Sequence, residues 1–183
     1  MKSLPLTLGS VPAVALVLLA GTQGASAATQ DSKQISSLLN EAMTHAVQAE
    51  DDATALDSFT RSAVSWKLHT YELDSMKLHV NELGRIAAEL QDLEPEASEW
   101  QKQAIHQVIP LLRDMAGNLT KTIQHLNENQ SQVHMPAYRD YTRTNFELAK
   151  RTAELIRDFV AYDEARSTAE SLETKLELAR QSY

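Results

Sequence analysis

Between Asp31 and Asp57 the apolar residues Ile35, Leu38, Leu39, Ala42, Ala46, Ala49, Ala53 and Leu56 return mostly at intervals of three and four, with polar side chains between them. Those intervals gather them on one face of a helix, whereas a half-buried strand would alternate apolar and polar positions. The same rhythm continues through Ala97, Ala104, Val108, Leu111, Leu112, Met115, Leu119, Ile123 and Leu126. It returns in Tyr138, Tyr141, Ala149, Ile156, Phe159 and Val160, then in Ala169, Leu172 and Leu176 towards a charged end expected to fray. Breakers are scarce: after the first 27 residues only Gly84, Gly117, Pro95, Pro110 and Pro136 remain. Few breakers mean long helices and few turns. The pattern predicts helices over 31–57, 63–93, 96–128 and 136–180, with Pro110 bending the third by removing a hydrogen bond. The Ser58-Phe59-Thr60-Arg61-Ser62 cluster ends the first helix, because hydroxyl side chains compete for backbone hydrogen bonds. The fold expected is all-α, an antiparallel up-down four-helix bundle. Were the Ser58–Ser62 break to fail, the first two helices would fuse into an elongated rod.

The N-terminus follows a different rule. Lys2 precedes an uninterrupted apolar run from Val11 to Ala20, and a small-residue tail ends Gly24-Ala25-Ser26-Ala27. This is the layout of a cleaved secretory signal over residues 1–27, with the cut between Ala27 and Ala28 and a single domain over 28–183. The run is about half the roughly 20 residues needed to span a bilayer. The expected destination is the periplasm or the cell exterior, with no membrane span in the mature chain.

Composition narrows the chemistry. Seventeen basic against 25 acidic residues leave a formal charge of -8, which argues against nucleic-acid binding, since that affinity rests on basic groups neutralising phosphates. No cysteine is present, so disulfides, thiol catalysis and Cys-ligated metal are excluded. No glycine-flanked serine elbow and no phosphate-cradling glycine loop occurs, so the chain is not expected to be an enzyme and no catalytic residue is assigned.

The second helix departs from a plain bundle. Projected at 100° per residue, its buried stripe is expected through Leu68, Glu72, Ser75, His79, Leu83, Ile86, Leu90 and Leu93, which puts polar groups at consecutive core positions. A buried carboxylate or imidazole costs several kcal/mol unless it is paired or bound to metal. Met43, His45 and Glu50 flank the facing side of the first helix, and Asn145 and Thr152 fall on the core face of the fourth. Four-helix bundles build metal centres from such layers. The candidate ligands of a transition metal, the one cofactor contemplated, are therefore His79, Glu72 and His45. The plainer reading gives these residues satisfied polar roles, and no His has an acidic residue three positions before it, as carboxylate-bridged di-iron bundles require. His106 and His125 are expected at the surface, and the tyrosines are expected to pack with hydroxyls outward.

The strings Ser58-Phe59-Thr60-Arg61-Ser62, His79-Val80-Asn81-Glu82-Leu83, Trp100-Gln101-Lys102-Gln103-Ala104-Ile105 and His125-Leu126-Asn127-Glu128-Asn129 resemble those of a group of uncharacterised exported helical proteins from bacteria. The resemblance implies export and an all-helical fold, and it transfers no residue role. By elimination the leading expectation is a non-enzymatic protein-interaction or envelope-stress adaptor module whose partner is an unidentified protein. A metal-binding bundle using the layer around His79 and Glu72 is the alternative. A homo-oligomer built through the alanine seam of the first helix is a third idea.

Overall fold

The structure, a computed structural model, describes residues 31–62 and 64–181; the signal segment and its cut at Ala27 and Ala28 lie outside the described residues. Four helices occupy Lys33–Phe59 (α1), Trp66–Leu93 (α2), Glu99–Glu128 (α3) and Pro136–Gln181 (α4), with 3-10 turns at Glu94–Glu96 and Gln130–Gln132. No strand occurs among the described residues, so the all-α expectation holds. The first two helices are separate: α1 stops at Phe59, and α2 restarts at Trp66 behind Ser65 in an extended conformation. Pro95 lies in the 3-10 turn, and α3 begins behind Ser98 at Glu99, three residues later than expected.

Every residue expected on the buried face of α1 is buried. Ala42, Ala46, Ala49 and Ala53 are at most 1% exposed, and their small side chains let α1 pack closely between α2 and α4. That seam is consumed inside the chain and presents no surface for an oligomer. α3 in turn packs between α2 and α4. Side-chain pairs tie α1 to α2, where Glu41 meets Arg85 and Asp52 meets Ser75, and α3 to α4, where Trp100 meets Tyr162 and His125 meets Tyr138.

The face of α2 differs from expectation. Its buried residues are His69, Leu73, Met76, Val80, Leu83, Ile86, Ala87 and Leu90, so the stripe in the first half lies one position later than projected. Leu68 is 50% exposed, and Glu72, Ser75 and His79 sit at the margin of the core, neither fully buried nor fully exposed. The physical reason is that Leu73, Met76 and Val80 offer more apolar surface than the polar trio one position before them, and burial follows apolar area. The cost of that choice falls on His69, which becomes fully buried.

The polar residues of α4 do enter the core. Asn145 is fully buried; its carbonyl oxygen accepts from Asn118 at 2.7 Å and its amide donates to Thr122 Oγ1 at 2.9 Å. Thr152 answers its own hydroxyl by donating to the Leu148 carbonyl at 2.7 Å. α4 outlasts the bundle. Val160 is its last buried residue, yet the helix continues unbroken to Gln181.

Candidate functional site

The α1–α2 seam brings two sequence-selected histidines face to face. His45 Nδ1 lies 3.3 Å from His79 Nδ1. His45 reaches this seam from the helix flank beside buried Ala42, Ala46 and Ala49, where the small α1 face holds α2 close. His79, one position before buried Val80, leans out of the core towards it. Two neutral imidazoles in this arrangement can share one proton, one nitrogen donating and the other accepting, and no more.

Carboxylates frame the pair at both ends. On one side Glu41, His45 and Glu82 offer ligand atoms that all lie within 4.8 Å of one another. Glu41 precedes His45 by one turn, and Glu82 follows His79 by three residues, so both helices present acid and imidazole on the same flank. Arg85 closes this end: it pairs with Glu41 across the seam, donates to Glu82 at 2.9 Å and reaches Glu89 at 2.5 Å. These bonds hold the Glu82 carboxyl below its ordinary range, and the charge of His45 adds to the effect.

On the other side Asp52 Oδ2 lies 3.8 Å from His79 Nε2 and has no hydrogen bond of its own, while Asp52 Oδ1 accepts from Ser75 at 3.1 Å. Burial pushes the Asp52 carboxyl up; the Ser75 hydrogen bond and the charge of His79 pull against that rise, and Asp51 adds to it. Glu72 lies two helical turns before His79 on α2, outside the group of Glu41, His45 and Glu82. Its carboxyl is raised by burial and then by the charge of Asp52, so its company is Asp52. The structure therefore brings His45 and His79 together and leaves Glu72 at the far end of the strip. Asp52, Glu41 and Arg85 are the members that projection missed. The spacing Glu41-x-x-x-His45 was the legible signal for one of them.

The two imidazoles stand at a spacing that a tetrahedral cation can bridge, while His79 lies outside the group of Glu41, His45 and Glu82, so a carboxylate has to swing towards the pair to join both nitrogens. Two nitrogens each bound at about 2.05 Å with a tetrahedral angle stand about 3.3 Å apart, which is the separation observed between the two Nδ1 atoms. A carboxylate hydrogen-bonded to the remote nitrogen of a ligating histidine fixes its tautomer and orientation, and Asp52 Oδ2 stands on that side of His79 at 3.8 Å, short of a hydrogen bond until the ring or the acid shifts. Imidazole with carboxylate is a donor set suited to zinc, copper, nickel or ferrous iron.

A second histidine cluster lies at the pole formed by the end of α1 and the start of α4. His69 is fully buried, with Tyr138 Oη 3.2 Å from its Nδ1 and no partner for Nε2. Tyr138 is fully buried too, so its hydroxyl points inward, contrary to expectation. His125 also departs from the surface position expected of it. Its ring packs 6.0 Å from Tyr138 and 5.4 Å from Tyr141, and its Nε2 is buried without a partner. His106 does stand exposed, 2.7 Å from Glu94. No known protein family, curated protein or solved structure matches the chain.

Proposed function

We propose that this chain is an exported, non-enzymatic helical bundle of antiparallel up-down topology whose α1–α2 seam takes up one divalent transition-metal ion. The observation that carries the reading is the 3.3 Å approach of His45 Nδ1 to His79 Nδ1 between flanking carboxylates. His45 and His79 supply the two nitrogens, Glu41 or Glu82 supplies oxygen, and Asp52 orients His79 from behind. Binding displaces the proton shared by the imidazoles and loosens the hold of Arg85 on the acids, so uptake weakens in acid, as it must where ligands have to be deprotonated.

Titration of the metal-free chain with zinc, and with cobalt(II) as an optical probe of tetrahedral geometry, tests this. One equivalent of metal and intense cobalt bands are expected. His45→Ala and His79→Ala should each weaken binding by about 100-fold, near the upper end seen when even the outer partners of a metal site are lost. Asp52→Asn is expected to cost about tenfold, and Glu72→Gln to leave affinity unchanged. Retained affinity in both histidine variants would overturn the site.

The signal layout of residues 1–27 supports the export part of the reading. Protein recovered from a periplasmic extract is expected to begin at Ala28 on N-terminal sequencing. An intact Met1 there, or retention of all the protein in the cytoplasm, would remove it.

A second reading, the interaction or envelope-stress adaptor module, is supported by α4. Beyond Tyr162 only Asp163 and Arg166 are even partly covered among the described residues of that helix, which leaves its side chains free to meet another surface.

A further inference from the structure

The uncovered end of α4 carries a repeat of its own. Tyr162, Ala165, Ala169, Leu172, Leu176 and Ala179 follow one another at alternating intervals of three and four. This strict 3.5-residue period belongs to helices that supercoil around a partner, and it drifts off a straight helix of 3.6 residues per turn. Leu172 and Leu176 are 54% and 64% exposed; Tyr162, at the bundle's end of the run, packs one side of its ring on Trp100 and stays 47% exposed. The run from Tyr162 to Gln181 is about 30 Å long at 1.5 Å per residue.

We propose that this segment is a dimerisation helix whose partner is the same segment of a second copy, lying antiparallel; the idea rests on the interaction-module reading and names its partner. Side-chain size decides the orientation. With the two helices antiparallel and centred between Glu170 and Ser171, Tyr162 faces Ala179 of the other copy, Ala165 faces Leu176 and Ala169 faces Leu172. Every layer then joins one large and one small side chain, so the interaxial distance stays even along the contact. A parallel pair would stack Ala165 on Ala165 and Ala169 on Ala169 beside Leu172 on Leu172 and Leu176 on Leu176. Its layers would alternate in width, which leaves voids at the alanines or strain at the leucines.

Charge agrees with size. In the antiparallel register Arg166 flanks the seam opposite Glu173 of the other copy, and the pair occurs twice by symmetry. Arg166 also reaches Asp31 at 3.3 Å and Glu170 at 3.5 Å, and its forked guanidinium has donors for more than one acid. The parallel register would instead set Lys175 beside Arg180 of the other copy, a like-charge contact. Interfaces of standard size bury about 1,600 Å², and so short a coil, rich in alanine, buries less. The dimer is therefore expected to be weak and to dissociate in the micromolar range.

Sedimentation equilibrium on the purified chain from low to high micromolar concentration tests the association. A monomer–dimer equilibrium is expected, with Leu172→Glu raising the dissociation constant by about 100-fold or more, since each dimer loses two buried leucines and gains two charges. Because Leu172 is exposed in the single chain, that variant should melt at the parental temperature when dilute. The absence of native cysteine makes orientation directly readable. Equal amounts of Ala169→Cys and Leu172→Cys chains are expected to form the mixed disulfide under mild oxidation in preference to either homodimer. A chain that stays monomeric at about 300 µM, far above a micromolar dissociation constant, overturns the proposal. So do a dimer indifferent to Leu172→Glu and a preferred 169–169 disulfide. A monomer would leave the interaction-module reading standing with a different partner. That reading fails separately if α4 amides beyond Tyr162 exchange as fast in a periplasmic extract as in dilute buffer.

Discussion

Lowering the pH from about 7.5 to 4 is expected to cost the fold about 3 kcal/mol through His69 alone. His69 is fully buried, and burial, followed by the charge of His134, brings its pKa down from 6.5 to about 4. The unfolded chain therefore takes up a proton on His69 below pH 6.5, while the folded chain refuses it until about pH 4. Across that window the unfolded state binds more protons, so stability falls as pH falls. The surroundings explain the refusal. The Phe59 and Tyr138 rings meet the imidazole edge-on at 5.7 and 5.3 Å, Tyr138 Oη is the one hydrogen-bonding partner, and Nε2 has none. Asp52 and Glu72, whose carboxyls are raised, act in the opposite sense and favour the fold as acid protonates them. The measurement is therefore a difference: urea unfolding at several pH values for the parent and for a His69→Leu/Tyr138→Phe chain, which removes the imidazole without stranding the hydroxyl. The parent should lose about 3 kcal/mol more than the double variant between pH 7.5 and 4. Parallel pH profiles would show that His69 is not the cause.

The contrast between His69 and His79 shows how far the sequence could be read. On α1 the buried stripe was legible because each core position is apolar and its neighbours are polar. On the first half of α2 the apolar residues do not share one face: at 100° per residue Leu68, Tyr71 and Leu78 lie nearly opposite Leu73, Met76 and Val80. Periodicity alone cannot choose between them when an ionisable residue lies on each. Apolar area favours the second, and Tyr138, arriving from α4, makes its cost bearable by giving buried His69 a partner at 3.2 Å; a contact between residues so distant in the chain leaves no trace in local spacing. The same one-residue change of phase moved His79 from the core to the α1–α2 seam, where it meets His45. The two histidines were selected for a buried layer, and they meet at its edge. Glu72 moved with His79 but lies two turns away, too far along the helix to join the group around His45. Arg85, which ties three acids together, was invisible for another reason: its role depends on Glu41 of the opposite helix.

Replacing Gln101 with Leu is expected to destabilise the chain by about 3 to 4 kcal/mol, a large share of the 5–15 kcal/mol that holds a typical domain together. Gln101 is fully buried in the first turn of α3, where a polar side chain ordinarily faces water. Its carbonyl oxygen accepts from the backbone N–H of Ser98 at 3.2 Å, closing half of a capping box, and from the backbone N–H of Ser32 at 3.0 Å. Its amide donates to the Ser32 carbonyl at 2.9 Å. One side chain therefore caps α3 and, by pairing both backbone groups of Ser32 in the manner of a strand, fastens the start of α1 beside it. Trp100 reinforces the junction by donating from Nε1 to Asp31 at 2.8 Å. Leucine matches the volume of glutamine and strips the Ser98 and Ser32 N–H groups of that partner, each costing about 1–3 kcal/mol where water cannot replace it, while the Ser32 carbonyl keeps the Ser36 N–H at 3.1 Å. Water can reach the partly covered Ser32, which keeps the total below the full sum. The neighbouring Gln103 faces solvent, so Gln103→Leu should change stability by less than about 0.5 kcal/mol. Hydrogen exchange separates a local from a global effect. In the Gln101→Leu chain the amides from Ser36 to Leu39 should lose protection before those of Ala49 to Leu56, because the staple holds only the beginning of α1. Equal stability of the two leucine variants would mean that the apolar contacts of Ile35 and Leu38 anchor α1 without it.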